Sequence, residues 1–320
     1  MLYRSVATVL PLILRTNRAR LLTILNYHRI VPERDPMRPL ATTAADFQWQ
    51  MALLANHFNP LSLTDAVELL ARDQLPKRAI CVVLEDGYAD SLNCAWPILR
   101  QLQIPATLFV TPAHLGVDRT WQDTVIEVIG RMSRPRVDLG AFGLDKHDTS
   151  SAGLRQQASQ SIINKMKYLP DNQRAEALAE ISGLELDSAL PSGLMLTEAQ
   201  LTTLATEGLA IGAHNRVHPI LATQTLEQAE QEISAARTTL QQLTGQSIDH
   251  FAYSGGRPGI DFKLIHRDLI KEIGFSSALT HQMGAASADS DLWQLPSVAP
   301  WNTSPFRFLL KLLTNYRNQF

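Results

Sequence analysis

Cysteine is nearly absent from this chain of 320 residues, which has only Cys81 and Cys94. One thiol sits in an apolar run and the other in an expected helix, so no disulfide framework is indicated and a hydrophobic core has to hold the fold. The same usage points to a reducing compartment. An excess of one charge is also missing. Lysine and arginine number 29 against 31 acids, a formal net charge of -2, which excludes the broad basic field of a nucleic-acid-binding protein. Nor does any stretch reach the roughly 20 consecutive apolar residues of a membrane-spanning helix. The N-terminal run from Ser5 to Leu14 is interrupted by Pro11 and followed by Arg15, Arg18 and Arg20, with no A-x-A cleavage site. Residues 1–22 are therefore expected to form a basic, partly apolar segment, docked on the domain or lying on an anionic membrane surface. Internal repeats and low-complexity tracts are absent too.

What is present is 45% hydrophobic and 19% charged, as suits a globular protein with a substantial core. Thr23 to Tyr27, Ala79 to Leu84, Ala106 to Val110, Leu209 to Ala213, Ile248 to Tyr253 and Ser276 to Thr280 read as strands. Helical spacing appears between them, at Ala44 to His57, from an N-cap at Thr64 through Ala71, at Ser91 to Leu102, Thr197 to Glu207 and Phe262 to Ile273. A longer stripe combines Leu226, Ala229, Ile233, Ala236, Leu240 and Leu243. This alternation predicts an α/β fold with a parallel sheet or barrel over residues 23–302. From about 116 to 196 the pattern loosens, with no strand ladder, and predicts a mostly helical insertion. Residues 303–320 mix bulky apolar and basic side chains and predict a helix that closes the barrel.

Chemistry concentrates at strand ends. Glu85 and Asp86 directly follow the apolar run Ala79 to Leu84, where unpartnered carboxylates are too costly to bury. They need a metal, a proton or a cation, and Gly87 lets the chain turn so that both face one pocket. His214 and His218 follow another strand at i and i+4, a spacing that aims two imidazoles alike on a helical turn. With one carboxylate they make a two-His, one-carboxylate metal site with open positions, which by residue type alone also fits an iron oxygenase. Tyr253-Ser254-Gly255-Gly256-Arg257 runs from a strand into a glycine-rich turn whose N–H groups suit an oxyanion. His28 ends the first strand, and His114 and His281 follow later ones at the expected rim. Trp121 and Trp301 are candidates to stack on a ligand ring.

Together these motifs resemble the polysaccharide deacetylase family, also called the NodB homology family or carbohydrate esterase family 4. Where that family has T-F-D-D-G, this chain has Val83-Leu84-Glu85-Asp86-Gly87, and for H-[ST]-x-x-H-P it has His214-Asn215-Arg216-Val217-His218-Pro219. Tyr27-His28 matches an N-terminal Y-H, Phe251 to Gly256 matches F-A-Y-P-x-G, and Leu295-Pro296-Ser297 matches L-P-R. The resemblance implies a distorted (β/α) barrel of the NodB type with its site at the C-terminal strand ends. It also implies a divalent metal, commonly zinc, on Asp86, His214 and His218, with no organic cofactor. Glu85 would be the general base, His28 the general acid, and the Tyr253 region the source of an oxyanion-binding backbone N–H. Gly255, Arg257 and Trp301 are candidates for substrate contact. The activity implied is removal of N-acetyl groups from a cell-surface polysaccharide or a lipid-linked precursor.

Four positions depart from the pattern. Glu85 stands where the family has Asp, Asn215 where it has Ser or Thr, Ser254 where it has Pro and Ser297 where it has Arg. A Glu reaches one bond, roughly 1.5 Å, further than an Asp. Losing the arginine should raise the pKa of the base. These changes leave room for a catalytically weak relative that only binds glycan or metal. The basic ends give the expectation of a cytoplasmic protein in peripheral contact with the inner membrane.

Overall fold

The computed structural model describes residues 20–317, so all but the end of the basic segment expected at 1–22 lies outside the described residues. Two compact units emerge. One is built from the described residues up to Glu33, from Thr42–Leu115 and from Leu196 onward; the other from Arg34–Ala41 and Gly116–Met195.

In chain order the strands are β1 (Leu22–Tyr27), β2 (Ile30–Val31), β3 (Thr42–Thr43), β4 (Asn59–Pro60), β5 (Ala79–Leu84), β6 (Ala106–Val110), β7 (Arg136–Asp138), β8 (Lys146–Asp148), β9 (Ala210–Ala213), β10 (His250–Ala252), β11 (Ser277–Thr280) and β12 (Leu295–Pro296). The first unit carries a parallel sheet in the order β1-β5-β6-β9-β10-β11-β12, with β4 added beside β5. Just past β12, Val298 bridges back to Leu25, its N–H donating to Ile24 O and its carbonyl accepting from Asn26 N–H. The sheet thus nearly closes on itself, a distorted (β/α) barrel.

Strand alternation divides the core in two. Ile80, Val82 and Leu84 of β5 face the surrounding helices, including Ala44–His57 and Leu226–Thr244. Cys81 and Val83 face the other way, packing with Ile24, Phe109, Ala252, Leu279 and Leu295 from five further strands, which is the barrel interior. The helix Leu63–Ala71 contributes Leu63, Val67 and Leu70 to this inner cluster. Its N-cap is Ser62, whose hydroxyl accepts from the Asp65 N–H, and not Thr64; the Thr64 hydroxyl instead meets Nε2 of His250. The C-terminal helix Pro305–Arg317 buries Phe308, Leu309 and Leu312, while Asn315 donates to Gly284 O and to the Thr23 hydroxyl. Among the described residues no helix is long and apolar enough to cross a membrane.

The second unit is mainly helical and has its own core of Val125, Val128, Ile129, Ile162, Met166 and Ile181. It also contains the antiparallel pair β7–β8, against the expectation of no strands there. Those strands are three residues long and largely exposed, so they lack the apolar run that marks a buried strand. Arg38 pairs with Asp35, Asp123 and Glu127 in this unit. Trp121, a candidate for sugar stacking, lies here with the Arg174 guanidinium 5.7 Å from its ring centre.

Candidate active site

The inward face of each strand ends in a polar layer. Ile24, Val83, Phe109, Ala252, Leu279 and Leu295 share the inner core. Two residues further along each strand, pointing the same way, come Asn26, Glu85, Thr111, Ser254, His281 and Ser297. All but His281 are buried. On β9 the inward position is Gly212, where a Cβ would stand 2.5 Å from the Phe109 ring, and two residues on comes His214.

Glu85 and Asp86 diverge into two adjacent clusters. The Glu85 carboxylate is fully buried and held from three sides: Asn26 Nδ2 donates to Oε1 at 2.8 Å, His281 Nε2 lies 3.0 Å from Oε2 and 3.3 Å from Oε1, and His28 Nε2 lies 3.2 Å from Oε2. Burial alone would push its pKa up, yet His281 and His28, by charge and hydrogen bond, hold it well below the usual carboxylate range. At the position of the missing arginine Ser297 donates to Thr280 O at 2.8 Å and accepts from Asn26 Nδ2 at 3.4 Å, bracing the asparagine that grips Glu85. Burial pushes His28 down, but the Glu85 hydrogen bond and the charges of Glu85 and Asp86 raise it to about 9.

The second cluster joins Asp86, His214 and His218. Oδ1 of Asp86 is 3.5 Å from Nε2 of each histidine, and the two Nε2 atoms are 3.0 Å apart. His214 Nδ1 donates to the Ala252 carbonyl at 2.8 Å, which turns Nε2 toward the cluster; burial lowers its pKa, but the bond to Asp86 and the charges of Glu85 and Asp86 raise it. Burial, followed by the charge of His214, lowers the His218 pKa to about 3, which keeps that ring neutral. Burial would raise Asp86, but its contacts with His214, His28 and His218 hold it well below the usual range. Once His214 gives up its proton, the two imidazole Nε2 atoms and the carboxylate offer three ligand atoms to one cation. Their ligand atoms all lie within 4.8 Å of one another, as suits an ion about 2.0–2.2 Å from each. The donor set fits a divalent metal.

The histidine pair does not converge by helical periodicity. Residues 214–219 form an irregular loop in which Asn215 (φ 57°) and His218 (φ 62°) take left-handed conformations, as does Asp86 (φ 73°). Such backbone persists only where surrounding contacts impose it. Here Glu232, buried on the helix Leu226–Thr244, accepts from the N–H groups of Arg216 (3.1 Å) and Val217 (2.9 Å) and pairs with the Arg216 guanidinium at 2.8 Å. Asn215 Nδ2 donates to the Ser254 hydroxyl at 2.8 Å. Two departures from the family pattern are thus one hydrogen-bonded pair.

Tyr253 does not occupy the place expected of it. Being one residue past the inward Ala252, its side chain faces outward, stacks on Phe262 at 3.6 Å and donates to Trp293 O. Its N–H is committed to Leu279 O inside the sheet and is not presented to the site. The described contacts of the three substrate-contact candidates are local. Gly255 packs against Asp261, Arg257 forms an ion pair with Asp261 at 2.9 Å, and Trp301 is half-exposed with Lys311 Nζ 3.9 Å from its ring centre. His114 stands beside the metal-type cluster, 6.0 Å from His218 between ring centres.

Asn26, Glu232 and the contact of His281 with Glu85 went unread in the sequence. The period-2 pattern carried a signal for two of them, since Asn26 and His281 each extend an inward series by one step. Glu232 carried none, because an acid on a mostly polar helix looks solvent-exposed.

The polysaccharide deacetylase family model matches residues 192–277. These include both histidines and the glycine-rich turn. Over that stretch of sequence, and in fold, the chain is similar to the polysaccharide deacetylases. It is 25% identical over 160 residues to YxkH of Bacillus subtilis, and 24% identical over 187 residues to the poly-beta-1,6-N-acetyl-D-glucosamine N-deacetylase of Staphylococcus epidermidis. The matches cover 50% and 48% of this chain and 54% and 62% of those proteins, so the chain spans little more than half the length of these relatives. The structure of the Streptococcus pyogenes deacetylase PplD superposes with a TM-score of 0.59 over 92% of this chain and 97% of that one; at 18% identity the likeness is one of fold.

Proposed function

We propose that this protein is a metal-dependent N-deacetylase acting on a polymer of N-acetylated glucosamine. The observation that carries the reading is the pairing of two adjacent carboxylates with separate partners at one end of the barrel. Asp86 joins His214 and His218 in one set of ligand-type atoms and Glu85 joins His28 and His281 in another; we read the first as the metal set and Glu85 with His28 as the acid–base pair. The substrate class is taken from the Staphylococcus epidermidis relative.

Asp86, His214 and His218 would hold the metal, with zinc favoured by two imidazoles and a carboxylate. When bound, such an ion supplies Lewis acidity toward the acetamide carbonyl and makes water easier to deprotonate. Glu85, ionised at neutral pH, accepts the proton of the attacking water at Oε2. His28, 3.2 Å from that oxygen and protonated below about pH 9, delivers a proton to the departing nitrogen. The C–N bond breaks, and the products are acetate and a free amine. Because His28 is 41% exposed and Glu85 fully buried, the acid is nearer the solvent, where a polymer has to enter.

The test is acetate release from β-1,6-linked N-acetylglucosamine oligomers by zinc-loaded protein, with Asp86→Asn and His28→Ala as controls. Acetate release by the wild type and its loss in both variants is expected. Oligomer binding without acetate release under any divalent metal would establish a non-catalytic glycan-binding protein instead.

A further inference from the structure

We propose that His281 is a positioning residue for Glu85, the device that lets a glutamate serve as the base in this site. The inference rests on the deacetylase reading and names a residue beyond the acid, the base and the metal-holding set. Glu85 has one more rotatable bond than an aspartate, so its carboxylate needs more anchors to hold one orientation. Asn26 fixes Oε1 at 2.8 Å from below. His281 Nε2 lies 3.0 Å from Oε2 and 3.3 Å from Oε1, so one N–H spans both oxygens and sets the plane of the carboxylate. Oε2 is then left facing His28 at 3.2 Å. Without the imidazole, only Asn26 on Oε1 and the half-exposed His28 on Oε2 would remain, and the plane of the carboxylate would be less firmly set.

The fold makes a specific place for this ring. His281 follows β11, and its N–H donates to Gly256 O at 2.9 Å. A Cβ on Gly256 would stand 2.7 Å from both Cγ and N of His281, so only glycine permits this approach. Gly256 has φ 66°, which glycine adopts without strain. The second glycine of the turn is thus explained by the space His281 needs. The two rings, His28 and His281, meet edge to face with centres 5.5 Å apart, Glu85 Oε2 lying within 3.2 Å of both Nε2 atoms.

The test compares wild type, His281→Ala and His281→Gln, whose amide nitrogen stands about where Nε2 does. His281→Ala should lower kcat about 10- to 100-fold, the usual effect of losing a group that orients a ligand or base, with KM and zinc content unchanged. His281→Gln should regain most of that loss. A crystal structure of His281→Ala should show the Glu85 carboxylate turned away from His28 or spread over several orientations. Wild-type kcat in His281→Ala, a loss confined to KM, a fall in zinc content, or failure of His281→Gln to recover would each overturn the proposal. If the wild type released no acetate, the deacetylase reading would fall. The crystallographic comparison would still decide this one, an unmoved Glu85 in His281→Ala refuting it.

Discussion

Shortening Glu85 to the aspartate usual in the family should damage this site and not repair it. Glu85→Asp withdraws the carboxylate by one C–C bond, roughly 1.5 Å. Contacts now at 3.0 Å to His281 and 3.2 Å to His28 would open to about 4.5 Å, beyond hydrogen-bonding range. Each hydrogen bond to an ionised group contributes about 1.5–3 kcal/mol. A base displaced by an ångström or more costs on the order of 100-fold in rate, or about 2.7 kcal/mol of barrier. The positional figure sets the expectation, so kcat for acetate release should fall about 100-fold, with zinc content unchanged because Asp86 is untouched. Adding Ser297→Arg to Glu85→Asp restores both family residues and should recover part of the loss. Steady-state kinetics on zinc-loaded protein, with zinc measured per chain, decide the matter. If Glu85→Asp is as active as wild type or more so, the carboxylate is not held by its length, and the place given to His281 falls with it.

Other outcomes follow from the same geometry. Asn215→Ala and Ser254→Ala should each destabilise by about 1–2 kcal/mol in urea unfolding, and the double variant by about 1 kcal/mol less than their sum; strict additivity would show that the 2.8 Å bond carries nothing. Glu232→Gln removes the charged acceptor that holds the loop of His214 and His218, so zinc affinity measured against a competing chelator should fall about 10-fold, and an unchanged affinity would dismiss the anchor. Because its neighbours raise His28 to about 9, the acid stays protonated through neutral pH and loses its proton only above that value. The kcat profile should therefore decline on the alkaline side near pH 9, and a decline near 6.5, the ordinary histidine value, would remove His28 as the acid.

The barrel, its buried strands and the two metal-type histidines were legible because they rest on local signals. β5 is a continuous apolar run, helix spacing marks Ala44–His57, and acids at the end of a buried strand demand partners. Two expectations differ from the structure, each for its own reason. The Tyr253 region is expected to offer a backbone N–H to an oxyanion, but the N–H of Tyr253 itself is taken by Leu279 O inside the sheet. The histidines at 214 and 218 were joined by helical spacing, whereas left-handed turns at Asn215 and His218 bring them together.

By itself, then, the sequence determined which residues stand at the strand ends and that Asp86, His214 and His218 are the kinds of group that hold a metal. Only the tertiary structure decided what surrounds Glu85. Its partners come from β1, from the turn after β11 and, through Ser297, from the end of β12, segments up to 271 residues apart that meet because the sheet curls until Val298 reaches Leu25. Curling places distant strand ends in one ring, and no local pattern states which neighbours a ring creates. An arginine missing from its usual position read as a loss along the chain. In the folded barrel that corner holds Ser297 bracing Asn26, and the base takes its contacts from His28 and His281.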